Sequence, residues 1–151
     1  MERAARPLNF LIVEDEPLIS MDIEMMVEDA GHHVIAIAAA LDEVEALPDE
    51  KAPNVALVDM NLARGSTGLD VNSYVQARWP NAIIVFVTAN PQKIPQDFPG
   101  AHGVIAKPFS LAGFMSAVQY LEEVVCNPPP VSAPPGSFVA SEAFAAFRGT
   151  Q

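Results

Sequence analysis

Leu8-Asn9-Phe10-Leu11-Ile12-Val13-Glu14-Asp15-Glu16-Pro17 decides the fold, because an apolar run stops abruptly at three acids and a proline. Residues 8–13 suffice for a buried strand and are too few for a helix. Pro17 sits where a first helical turn tolerates its missing N–H, behind acids that favour a helix N-terminus. The stretch therefore predicts a strand, a sharp turn and a helix. Glu14 and Asp15 then stand at a strand's end and not on a solvated helix face.

Working outward, Leu18, Met21, Met25 and Val27 continue a helical apolar pattern as far as Gly31, the expected C′ residue. Residues 34–39 read as a second strand, and Leu41, Val44 and Leu47 as a short helix ending before Pro48. Residues 54–60 form a third strand, apolar without alternation. A loop of small residues, 63–68, leads into a helix bearing Leu69, Val71 and Val75, which closes at Trp79-Pro80. Residues 82–87 and 104–106 supply two more strands, the latter ended by Lys107-Pro108. Ser110 is positioned to cap a final helix with Leu111, Phe114, Met115, Val118, Leu121 and Val125 at helical spacing. Strands that alternate with helices and are apolar on both faces imply a parallel sheet covered on two sides, an α/β fold. The pattern alone leaves the strand order open.

One segment interrupts the alternation. Pro91, Pro95 and Pro99 recur at intervals of four within residues 90–100 and cannot share a regular helix. A loop or one short turn is expected there. From Asn127 the composition changes again: five prolines lie between Pro128 and Pro135, which suggests an extended linker. Phe138, Val139, Phe144 and Phe147 follow, and Ser141 is placed to cap a short helix through Phe147. A partly disordered end and a docked helix both fit this tail. The chain thus divides into a domain over 1–126 and a Pro-rich linker with an apolar tail over 127–151.

With 151 residues, half of them apolar, the chain fits one packed domain plus a tail. No apolar run reaches the roughly 18 residues needed to span a bilayer, and Met1–Pro7 is too short and charged for a secretory signal. A cytoplasmic protein that avoids membranes is expected. The net charge of −11 argues against a nucleic-acid surface. Cys126 has no partner for a disulfide and no metal-site spacing, and reads as a small apolar residue near a helix end. His32, His33 and His102 read as turn residues.

Ligands of open parallel sheets bind beyond the carboxyl ends of the strands, and the polar residues fall there. Glu14 and Asp15 follow the first strand, Asp59 closes the third, Thr88 the fourth and Lys107 the fifth. Carboxylates from two strands can ligate a hard cation that keeps several waters. An aspartate beside a metal can attack phosphorus and form an aspartyl phosphate, while a lysine and a hydroxyl meet the charge on the transferred oxygens. Each position also has a plain alternative: Glu14 and Glu16 as helix N-terminal charges, Thr88 as a β-branched strand end, Lys107 as an edge lysine. Asp59 resists such a reading, because an acid ending an all-apolar strand needs a partner.

Phe10-Leu-Ile-Val-Glu-Asp-Glu-Pro17, Val55-Ala-Leu-Val-Asp-Met-Asn-Leu62, Val87-Thr-Ala89 and Ala106-Lys-Pro-Phe109 together resemble the receiver domain of bacterial two-component response regulators, over roughly residues 8–125. The resemblance implies a flavodoxin-like (βα)5 three-layer sandwich with a central five-stranded parallel sheet, its fourth helix here short or absent. It implies Asp59 as phosphoacceptor, with Thr88 bonding and Lys107 pairing with the phosphoryl group. Mg²⁺, with Mn²⁺ as a substitute, would be held by Asp15, Asp59 and the Asn61 backbone carbonyl, with Glu14 acting through a water. Ala89 would leave access to the acceptor, and the side chains at Asn61 and Asn90 would influence phosphoryl lifetime. The implied partners are a histidine kinase or histidine phosphotransfer protein, an unidentified output protein and, compatibly, a second copy.

Four positions depart from the family pattern. Glu14 replaces the usual first aspartate, Ala63 stands where proline is common, and Gly68 arrives one residue late. Val104 replaces an aromatic that usually swings with phosphorylation. The expected function is a stand-alone phosphoreceiver that signals through protein contacts or serves as a phosphate sink or relay, and not a conventional enzyme. The alternatives are a pseudo-receiver that never takes phosphate and a haloacid-dehalogenase-like phosphohydrolase; the latter needs a second acid where Asn61 stands. The apolar tail is expected to cover surface left bare by the Pro-rich segment 90–100, or to compete with a partner for it.

Overall fold

Five short apolar runs become the parallel strands of one sheet. They are β1 (Asn9–Val13), β2 (His33–Ala38), β3 (Val55–Val58), β4 (Ile83–Thr88) and β5 (Gly103–Ala106). The helices are α1 (Pro17–Asp29), α2 (Leu41–Glu45), α3 (Gly68–Arg78) and α4 (Leu111–Cys126). This computed structural model describes residues 7–89, 102–126 and 135–140, so expectations for Asn90–Gly100 and for a helix capped by Ser141 lie outside the described residues. The strand order is β2-β1-β3-β4-β5, followed by an antiparallel sixth strand, β6 (Val139–Ala140), on the β5 edge. The parallel part has the doubly wound order in which the chain reverses direction between β1 and β3.

Because every central strand is buried on both faces, the sheet separates two cores. Phe10, Ile12, Leu57, Val85, Val87 and Ile105 face α1 and α4, whereas Leu11, Val13, Val58, Ile84, Phe86 and Val104 face α2 and α3. Local signals account for the helix ends. Pro17 opens α1, and Gly31 follows it at φ 93°, with the His32 N–H returning to the Val27 carbonyl at 3.2 Å. Thr67 and Asp70 form a reciprocal capping box on α3. Ser110 Oγ accepts the Gly113 N–H at 2.9 Å, the cap expected of it. Among the described residues no helix is long and apolar enough to cross a membrane.

Two expectations are corrected. On α1 the core face is Ser20, Ile23, Met26 and Val27, while Leu18, Met21 and Met25 are exposed. Of the helical apolar pattern Leu18, Met21, Met25 and Val27, Val27 alone is buried, and the other three form a second apolar stripe toward solvent. Nor are all the histidines turn residues. His32 is buried, and its Nδ1 accepts the Leu8 N–H at 2.9 Å. His102 Nδ1 accepts the Ile84 N–H at 3.1 Å. Both rings accept backbone N–H groups from segments distant in sequence. Burial pushes each below the ordinary histidine range, as it must if the ring is to stay neutral and accept.

Candidate functional site

All the strand tips named from sequence come to the carboxyl end of the sheet. β1 delivers Glu14 and Asp15, held in line by the Glu14 N–H donating to Ala38 O at 2.9 Å. β3 delivers Asp59, whose N–H donates to Val13 O at 2.9 Å. The ladder thereby sets the two acidic loops side by side. Carboxylate oxygens of Glu14, Asp15 and Asp59 all lie within 4.8 Å of one another. Glu14 and Asp59 are buried, and Asp15 is exposed.

Lys107 reaches this group from β5. Its Nζ lies 2.8 Å from Glu14 Oε1 and 3.2 Å from Asp59 Oδ2. Glu14 and Lys107 are thus in direct contact, and the extra methylene of glutamate over aspartate extends that reach. Burial pushes the Glu14 carboxyl from 4.5 up to about 7, and the Asp59 charge adds to the rise against the opposing pull of Lys107. Burial would lower the Lys107 ammonium, but the hydrogen bond and charge of Glu14 and the charge of Asp59 outweigh it, so its value is raised. The cluster has more acid than one ammonium can compensate, and such a donor set suits a further hard cation.

Thr88 ends β4, fully buried, and its carbonyl accepts the Lys107 N–H at 2.8 Å, which ties the hydroxyl-bearing and lysine-bearing strands at one level. The Asn61 N–H donates to Asp59 Oδ1 at 3.3 Å, so one Asp59 oxygen is engaged by the following loop and the other by the lysine. Ala89 is exposed and lines an open groove of about 370 Å³ with Ile19, Asp22, Lys107, Pro108 and Phe109. Asn90 is outside the described residues. Val104 is 3% exposed and faces the α2–α3 core.

Sequence reasoning missed Gly68 as a supporting residue. Its N–H donates to Met60 O at 2.9 Å, and a Cβ there would lie 2.6 Å from the Asp59 carbonyl oxygen. Only glycine lets the start of α3 press on the backbone that carries Asp59. The signal was the glycine itself, seen as late in register instead of as a close approach.

The model of the response regulator receiver domain matches residues 10–119. The phyllosphere-induced regulator PhyR of Methylorubrum extorquens is 40% identical over 111 residues, covering 72% of this chain and 41% of that protein. The transcriptional regulatory protein PdtaR of Mycobacterium tuberculosis is 27% identical over 118 residues, covering 77% of this chain and 57% of that protein. The solution structure of the Erythrobacter litoralis PhyR receiver domain superposes with a TM-score of 0.68 at 29% identity, covering 84% of this chain and 97% of that one. The chain therefore spans about half the length of the curated relatives it matches, and those relatives are signalling regulators, not enzymes. With the family match running from β1 into α4, the chain belongs to the response regulator receiver domains of two-component signalling.

Proposed function

We propose that the chain accepts a phosphoryl group on Asp59 from the phosphohistidine of a histidine kinase or histidine phosphotransfer protein. The observation that carries this reading is the meeting of Glu14, Asp15 and Asp59 oxygens within 4.8 Å, with the Lys107 ammonium 3.2 Å from Asp59. Receiver domains generally bind Mg²⁺ at an acidic pocket, and this triad supplies one. Asp15, Asp59 and the Asn61 carbonyl would hold the ion directly and Glu14 through a water; when bound, it would offset the charge gathering on the phosphoryl oxygens.

An Asp59 carboxylate oxygen attacks phosphorus as the P–N bond to the donor imidazole breaks, and the imidazole leaves with the electron pair. Lys107 shifts its pairing from the Asp59 carboxylate toward the new phosphoryl oxygens, and the Thr88 hydroxyl donates to them. Water later hydrolyses the acyl phosphate. Val104, with no ring to swing, leaves the output change to other parts of the β5 and α4 surface. We place this exchange in the cytoplasm, with output through protein contacts, as the name of the anti-anti-sigma factor PhyR of Bartonella quintana suggests for that relative.

The test is intact mass after incubation with Mg²⁺ and a small phosphodonor. One phosphate adduct in the unaltered chain, and none in Asp59→Asn, supports the reading. No adduct in either favours a module that works without phosphate, and steady turnover of phosphate esters favours a hydrolase.

A further inference from the structure

The sheet does not end at β5, and what covers that edge is this chain's own residues 135–140. Gly103 pairs with Ala140 and Val104 with Val139, antiparallel. Phe138 is 3% exposed and stacks beside Tyr120 of α4, with ring centroids 5.4 Å apart. Its ring fills the space that Gly103 leaves, since a Cβ on Gly103 would lie 2.2 Å from a Phe138 ring carbon. Ser137 Oγ donates to the Gly113 carbonyl at 2.7 Å, which fastens the segment to the start of α4. The niche is therefore specific: the β5 strand edge, a missing side chain, a tyrosine wall and a carbonyl near the start of α4 that accepts from Ser137.

Among the described residues the attachment is slight beside the rest of the sheet. β1, β3 and β4 share four register pairs at each junction, whereas β6 contributes two and a single apolar anchor. A strand edge from which such a segment has lifted accepts extended segments by strand addition, with main-chain bonds giving affinity and a side-chain pocket giving selectivity. Linker length argues that the occupant comes from the same chain. Gly113 and Cys126 are about 20 Å apart along α4, and residues 127–136 reach about 33 Å if extended.

We propose that the β5 edge and the Gly103 niche are a strand-docking site whose resident, exchangeable occupant is residues 135–140. A protein partner would reach this face by presenting an extended segment with an aromatic side chain over Gly103. The inference requires no phosphoryl chemistry and stands whether or not Asp59 is phosphorylated.

A fluorescent peptide with the sequence of residues 134–141 is titrated into the full unaltered chain and into full-length Phe138→Ala. A cis occupant on a short linker competes at an effective concentration in the millimolar range, so the variant should bind the peptide about tenfold or more tightly than the unaltered chain. A peptide with alanine in place of its phenylalanine should not bind. Equal binding to both chains, or none to a folded variant, overturns the proposal. If Phe138→Ala does not fold, amide exchange of the unaltered chain decides. Exchange of residues 137–140 at least about a hundredfold faster than β4 supports a separable occupant, and equal protection overturns it. An unaltered chain that sediments as a dimer dissociated by the peptide would assign the segment to a second copy and overturn occupancy in cis.

Discussion

Lys107→Met keeps most of the side chain's length and deletes its charge, so it isolates what the ammonium does for the acids around it. The Nζ lies 2.8 Å from Glu14 and 3.2 Å from Asp59, whose side chains are 2% and 10% exposed. At an effective dielectric of about 20, each contact carries roughly 5–6 kcal/mol of gross attraction. Desolvation of the three charges cancels most of this, and removing one partner leaves a net loss on the order of 3 kcal/mol when both acids are ionised.

The loss has a definite pH dependence. A carboxyl whose folded value is raised contributes stability in acid and forfeits it as pH rises through that value. Glu14 already stands at about 7 against an ordinary 4.5, and removing the cation raises it further. The deficit of the variant should therefore widen as pH rises through about 7, where Glu14 ionises beside the lysine but not beside the methionine. Urea denaturation of both chains without Mg²⁺ measures it. Below about pH 6 only the contact with Asp59 is lost, so the deficit should be about half of the alkaline value, which is on the order of 3 kcal/mol. A deficit of the same size at both ends would refute the reasoning, since lost packing does not titrate.

Gly68→Ala puts a Cβ 2.6 Å from the Asp59 carbonyl; denaturant melts should show a loss of about 1–3 kcal/mol, and calorimetry a weaker Mg²⁺ affinity. Phe138→Ala should cost about 2–3 kcal/mol in the same melts, because a buried aromatic is removed from a site at the sheet's edge. His32 is held neutral by burial. A lowered folded value gives stability above the ordinary 6.5 that is lost as pH falls. His32→Asn should therefore flatten the stability profile below about pH 6.5, and an unchanged acid slope would count against the assigned role.

The strand runs were legible because each is apolar on both faces and bounded by charge, proline or glycine. The face of α1 was not. Leu18, Met21 and Met25 repeat as regularly as Ile23, Met26 and Val27, and only the packing against β1 and α4 selects the second set. The histidines were misread for a related reason, since the acceptor role of His32 depends on Leu8, 24 residues away. At the site, the strand tips could be read from local pattern. The contact between Glu14 and Lys107 spans 93 residues and depends on strand order, which periodicity does not determine. The docking of Phe138 on Gly103 was equally hidden: a small residue in a strand marks a close approach without naming what approaches.

The central claim is that Asp59 itself carries the phosphoryl group. Borohydride reduces an aspartyl phosphate to homoserine, so treating the Mg²⁺-phosphorylated chain with borohydride and sequencing its peptides by mass spectrometry locates the acceptor. The account predicts homoserine at position 59 and nowhere else. Homoserine at position 15, or a phosphorylated chain that yields none, would contradict it.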